Sequence, residues 1–183
     1  TSEEKTRLLA RYLPEEEDAS KKLRKNSHKW LWRFIRRRDF NRFQACLEAM
    51  QSRELAFDEV TYNFAMYGIL LNKRQDDELA RQVFLDMEED GRFHPALLRL
   101  QRGFLESYFE LKDVDATPNR WNLLKVARTF WQISVNFKRK RVKETRASLA
   151  AAASEQRARL GADQLVEVPL LAEGSDEELS DVE

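Results

Sequence analysis

The chain has few of the residues that make tight turns. Only five glycines and four prolines occur among its 183 residues, whereas the two together average roughly 12% of globular sequences. A turn-rich β-sandwich or β-barrel is therefore a poor match to this composition. Long helices, which need few turns for their length, suit it better.

Cysteine and long apolar runs are also scarce. The single Cys46 cannot form an internal disulfide or a CxxC metal site, which argues against a disulfide-rich secreted protein and fits a reducing compartment. The longest apolar run, residues 64–71, is much shorter than the roughly 18 residues that cross a membrane. We expect no membrane span. Nothing at the start resembles a signal peptide, which is compatible with a chain whose targeting segment has been removed.

Motifs of catalysis and metal binding are missing. His28 and His94 lie 66 residues apart without an HExxH or a Cys/His pairing around them. The sequence also has no glycine-rich phosphate loop and no GxSxG nucleophile motif. We therefore expect no catalytic residues, no metal site, no cofactor and no small-molecule substrate.

Positive and negative charges balance but are segregated along the chain. Its 32 basic and 32 acidic residues give a net charge of zero. Residues 21–42 hold ten Lys or Arg and one acid, residues 138–146 hold six and one, and residues 162–183 hold eight acids and no base. Blocks of like charge repel one another unless a partner of opposite charge is present.

Apolar residues recur at spacings of three and four from residue 27 onward, which is the helical period. The pattern predicts antiparallel helix pairs near residues 28–51 and 59–91, with Gly91 ending the second pair. A third pair is predicted over residues 97–137, its second helix beginning near Thr117. No segment shows the alternation of a strand, so the predicted fold class is all-α.

Two stretches of the sequence resemble a known repeat. Met50 and Met87, each near the end of a predicted second helix, lie 37 residues apart, which indicates a repeat period. The later unit contains Val60-Thr61-Tyr62-Asn63, then Ala80, Val83-Phe84, Asp86-Met87-Glu88, Gly91 and Pro95. It resembles the pentatricopeptide repeat, which opens on a V-T-Y-N-like helix start and closes on F-x-E-M-x-x-x-G-x-x-P. The earlier unit is similar at Leu47-Glu48-Ala49-Met50 and Phe57-Asp58.

The resemblance implies a short helical-hairpin solenoid whose first helices line a concave surface. In the family, two side chains per repeat contact one base, one near the start of the first helix and one at the end of the repeat. Asn63 matches the first position, but Ala96 stands where its partner is customarily Asp or Asn. In the earlier unit the first position lies near Lys29, which does not belong to the code. We therefore expect RNA contact through phosphates, which gives affinity without sequence discrimination.

The sequence divides into five predicted segments. They are an N-terminal extension (1–26), two pentatricopeptide-like hairpins (27–96), a further helical pair that is a possible degenerate repeat (97–137), a basic and then alanine-rich helix (138–161) and an acidic tail (162–183). The tail is predicted to run along a basic protein surface.

Nucleic-acid contacts are predicted in the two basic blocks and at one code position: Lys21, Lys22, Arg24, Lys25, Arg33, Arg36, Arg37, Arg38, Asn63, Lys138, Arg139, Lys140, Arg141 and Lys143. The alternative for residues 36–38 is a solvated turn. For the second block it is favourable charge near a helix C-terminus. Four tryptophans are predicted to be core residues, with base stacking as the alternative: Trp30, Trp32, Trp121 and Trp131.

The resemblance and the basic blocks together predict a non-catalytic structural component of a mitochondrial ribosomal subunit, or of its assembly intermediate, in the matrix. Its partners would be ribosomal RNA and other ribosomal proteins. One alternative is a mitochondrial RNA-processing or transcript-stability factor that binds RNA through its repeats. A second alternative is a helical adaptor that binds only proteins. Repeat number discriminates the ribosomal component from the transcript-stability factor. A transcript binder normally needs many base-reading repeats, and this chain shows two or three.

Overall fold

The computed structural model describes residues 18–72, 76–113 and 119–161. These residues form α1 (Asp18–Arg37), α2 (Phe40–Ser52), α3 (Glu59–Leu70), α4 (Asp77–Asp90), α5 (Pro95–Asp113) and α6 (Arg120–Leu160). They contain no β-strand, so the predicted all-α class is confirmed. The predicted acidic tail (162–183) and residues 1–17 of the predicted N-terminal extension lie outside the described residues.

The ends of the helices follow from local sequence. The N-caps of α2, α3, α4 and α6 are short polar residues whose side chains accept a hydrogen bond from a first-turn N–H: Asp39, Asp58, Asp76 and Asn119. α4 ends at Gly91 with a φ of 72°, as the sequence predicts, because glycine adopts the left-handed conformation without strain. α6 begins at Arg120, and the predicted helix start near Thr117 lies outside the described residues.

α3 lies at the centre of the bundle. Helices α1, α2, α4 and α6 all pack against it, and ten of its twelve residues are buried. Its approach to α2 requires glycine, because a Cβ on Gly68 would lie 2.2 Å from the Cζ of Phe43. The core therefore forms around α3, with four of the other described helices packed directly against it.

α6 covers one side of this core. It packs along α3 and also contacts α1 and α5. The indole of Trp131 meets the ring of Phe64 edge-on, with ring centres 4.9 Å apart. Because α1, α3 and α5 are the first helices of the successive pairs, α6 lies on the side that the repeat resemblance assigns to RNA.

Two helices cross the predicted boundaries between sequence segments. α1 begins at Asp18, inside the segment 1–26 that was predicted as an extension. α6 runs without a break through the predicted boundary between residues 137 and 138, over 41 residues and about 60 Å. Most of its last 18 residues are exposed. Within the three described ranges, no helix combines the length and the apolar character needed to cross a membrane.

Candidate nucleic-acid interface

One side of α1 carries a continuous row of positive charge. Its members recur at spacings that place them on the same side of a helix, and we call them the α1 cationic face: Lys22, Lys25, Lys29, Arg33, Arg36 and Arg37. Lys25 is half-buried and the others are exposed. Another side of α1 faces the core with Leu31 and Ile35, which are fully buried. At 1.5 Å per residue, the row is about 22 Å long.

Three arginines of this face lack a carboxylate partner in the described part of the chain. Arg33, Arg36 and Arg37 form no ion pair with any described residue. Arg120 adds a further positive charge nearby, because its guanidinium donates to the Ile35 and Arg36 carbonyls in the last turn of α1, at 2.8 and 3.2 Å. The helix dipole favours cations in this last turn by about 0.3–1 kcal/mol each. This attraction is weak, so the arginines can still bind an external anion.

A concavity of about 520 Å³ opens beside this face, between α1 and α6. Four cations and two tryptophans line it: Lys29, Trp32, Arg33, Arg36, Arg37 and Trp131. The ring centres of Trp32 and Trp131 lie 5.7 Å apart, and Trp32 also packs against Phe64 at 6.0 Å. No acidic residue of the described chain lines this space. The lining therefore suits a ligand that combines negative charge with a flat ring.

A second aromatic group lies on the other flank of the α1 cationic face. Trp30 is 49% exposed and stacks on Phe34 with ring centres 5.7 Å apart. The guanidinium carbon of Arg33 lies 5.0 Å from the centre of the Trp30 ring. Exposed indoles beside cations are typical of surfaces that bind single-stranded nucleic acid.

The basic block of α6 divides between the inside and the outside of the protein. Lys138 Nζ lies 3.0 Å from Asp58 Oδ2. Arg141 donates two hydrogen bonds, at 2.8 and 2.9 Å, to the carboxylate of Glu59, whose side chain is fully buried. Burial disfavours the charge of Arg141, but the hydrogen bond and charge of Glu59 outweigh it and raise the pKa of Arg141. In the same block, Lys140 is exposed.

The N-terminus of α3 gathers further charges from α1. Arg24 Nε donates to the carbonyl of Ala56 at 2.8 Å. His28 Nε2 lies 2.7 Å from Thr61 Oγ1 and 3.4 Å from Asp58 Oδ1. Burial raises the pKa of Asp58, but the charges of Lys138, His28 and Arg24 outweigh it and hold that pKa well below its ordinary value. The Asp58 carboxylate is therefore stabilised as an anion inside the protein.

We expect the stability of the protein to fall in acid because of Asp58. Its folded-state pKa is depressed, so the stabilisation is complete above the unfolded pKa of about 4 and is lost as the pH falls through the folded pKa. Asp58→Asn keeps a good N-cap but removes the charge. The free energy of unfolding, measured by denaturant titration at neutral and acid pH, should fall less on acidification in this variant than in the wild type. Parallel pH profiles would contradict the assignment.

Asn63, the predicted base-reading residue, is fully buried. Its Nδ2 donates to the carbonyl of Ala127 in α6 at 3.1 Å, and its Oδ1 accepts from Gln101 Nε2 at 3.2 Å. Gln101 in turn accepts from the Tyr67 hydroxyl at 2.8 Å. With its amide used in this network, Asn63 has no polar atom for a base. Asn63 therefore links α3 to α6 and is not part of the candidate interface.

The structure separates the predicted contact residues into two groups. Outside the core lie Lys21, Lys22, Lys25, Arg33, Arg36, Arg37, Arg38, Arg139, Lys140 and Lys143. Engaged within the core are Arg24, Asn63, Lys138 and Arg141. Lys25 and Arg139 are half-buried and also have interaction partners. Lys29 was not among the predicted contact residues, although it precedes Arg33 by four residues and so shares its helix face. Of the four tryptophans predicted to be core residues, Trp131 is buried and Trp32 is half-buried. The prediction is wrong for Trp30 and Trp121, which are 49% and 73% exposed.

Among the described residues, no group of three or more His, Cys, Asp or Glu side chains is arranged to hold a metal ion. Cys46 is half-buried, and burial raises the pKa of its thiol. Comparison of the chain with protein-family models, with curated proteins and with solved structures finds no match.

Proposed function

We propose that this chain is a non-catalytic structural component of a mitochondrial ribosomal subunit, or of an assembly intermediate, and that it binds ribosomal RNA through the α1 cationic face. The observation that carries the RNA contact is the set of three exposed arginines, Arg33, Arg36 and Arg37, without a carboxylate partner among the described residues. The mitochondrial and ribosomal assignment is supported by the resemblance to pentatricopeptide repeats and by the basic blocks.

Phosphates are the part of RNA that this surface suits. Guanidinium groups pair with phosphate oxygens through charge-assisted hydrogen bonds, which position a protein on RNA without reading its sequence. The base-reading route has little support, because Asn63 is buried under α6 and Ala96 replaces its usual partner. Affinity would therefore depend on charge and on RNA shape.

A transcript-stability factor fits this arrangement less well. Such a protein reads bases along exposed first helices, whereas here α6 packs against α1, α3 and α5. A protein-binding adaptor would need an acidic partner surface to match the α1 cationic face. Binding to naked RNA, without protein, separates the adaptor from the proposed function.

Co-sedimentation tests the proposal in its own setting. We expect the tagged full chain, expressed in cells, to migrate with a ribosomal subunit when mitochondrial lysates are separated on a density gradient. The association should survive physiological salt, because a subunit component makes protein contacts in addition to screened phosphate contacts. Migration with soluble transcripts, or free of RNA at low salt, would contradict the proposal.

A further inference from the structure

The concavity between α1 and α6 has a rigid aromatic wall. Trp32 is fixed from behind by Phe64 and Trp131, with ring centres 6.0 and 5.7 Å away. Trp32 is only half-buried, so part of its indole remains available on the side that lines the open space. A ring held in this way loses little conformational freedom when another flat ring stacks on it.

The rest of the lining is positively charged. Lys29, Arg33, Arg36 and Arg37 surround the aromatic wall, and the three arginines have no carboxylate partner among the described residues. Like charges brought this close repel one another, and a bound anion relieves the repulsion. The missing partner is therefore an anion that also carries a planar, stackable group.

We infer that this concavity binds one unpaired nucleotide of an RNA chain, with its phosphate on Arg33 and Arg36 and its base stacked on Trp32. The inference rests on the proposed function, since it specifies the part of an RNA that α1 recognises. A space of about 520 Å³ is within the range of small-ligand sites and is too small for a duplex.

Two features favour a nucleotide within a chain over a fully paired stem or a free nucleotide. Bases inside a duplex are stacked on one another and cannot reach an indole, whereas a bulged base can. The concavity is also continuous with the α1 cationic face, which extends about 22 Å along the helix and offers the exposed Lys22 to a neighbouring phosphate. A free mononucleotide has the same chemistry but would leave that lysine unused.

The test compares three RNAs on the full chain by fluorescence anisotropy at one salt concentration. They are a blunt duplex, the same duplex with one bulged nucleotide, and a blunt duplex one base pair longer. We expect the bulged RNA to bind about tenfold more tightly than either blunt duplex, since one stacked base contributes that much. Indole fluorescence should be quenched by the bulged RNA and much less by the blunt ones.

Matched variants locate the effect. Arg33→Gln together with Arg36→Gln should abolish the preference for the bulge. Arg53→Gln with Arg99→Gln removes the same charge from exposed positions outside the α1 cationic face, and this control should keep the preference. Trp32→Leu removes the stacking surface directly and should also abolish the preference. If that variant does not fold, the arginine pair and the fluorescence quenching decide the question.

The outcomes separate this inference from the proposed function. Equal binding of all three RNAs, weakened in the Arg33/Arg36 variant, would overturn the unpaired nucleotide and leave phosphate binding in place. No binding of any RNA would overturn both. A mononucleotide that binds as tightly as the bulged RNA would show that the site takes a soluble nucleotide, which also overturns the inference.

Discussion

Replacing Arg141 with methionine is expected to lower the free energy of unfolding by about 3–5 kcal/mol. The change leaves the Glu59 carboxylate, which has no exposed surface, without the two hydrogen bonds and the charge that Arg141 supplies. A buried charge without a partner is among the few single changes that destabilise a protein this strongly. Denaturant titration monitored by helical circular dichroism measures the effect.

The matched control is Lys140→Met, one residue earlier in α6. Lys140 is exposed, so its replacement should change the free energy of unfolding by less than about 0.5 kcal/mol. Adding Glu59→Gln to Arg141→Met should recover part of the loss, because replacing both charges removes the unpaired one. If Arg141→Met and Lys140→Met were equally stable, Glu59 would not require Arg141 as a partner. Arg141 would then return to the candidate interface.

The helix pairs around residues 28–51 and 59–91 were predictable, because apolar side chains at steps of three and four need only local sequence to be recognised. The start of α1 was not. Arg24 and His28 occupy buried positions in its early turns, so the apolar pattern is recognisable only from residue 27 onward. Their partners lie near Asp58, about thirty residues away along the chain, and no local pattern reveals such a pairing.

Distant partners also explain why the sequence alone did not separate the buried from the exposed residues in the basic block of α6. In the sequence, residues 138–143 form one charged segment that leaves the core. In the structure, Lys138 and Arg141 continue the side of α6 that holds Trp131 and Ser134, and they meet the two acids that begin α3. The sequence shows the charge of a residue, but its direction depends on helix phase and on a distant partner.

The candidate site could be predicted only in part from the sequence. The density of Lys and Arg over residues 21–42 predicts a cationic surface, and helical spacing places most of them on one face. The concavity depends on Trp131, about a hundred residues after Trp32, lying against it. The burial of Asn63 likewise depends on where α6 packs. Contacts of that sequence separation come from the tertiary fold.

Removing three charges from the α1 cationic face is expected to weaken RNA binding by about 100-fold near physiological salt. The variant is Arg33→Gln, Arg36→Gln and Arg37→Gln together. Each arginine that contacts a phosphate releases bound counterions from the RNA, and this release favours binding. The variant loses three such contributions to the binding free energy. All three side chains are exposed, so the variant should fold with nearly wild-type stability.

The salt dependence of RNA affinity measures the central claim most directly. The full chain is titrated with RNA over a range of salt concentrations beside this variant and a control in which exposed Arg53, Arg99 and Arg157 become glutamine. We expect the slope of log affinity against log salt to be shallower by about two to three units in the variant and unchanged in the control. Equal slopes for all three proteins would show that the α1 cationic face does not contact phosphates.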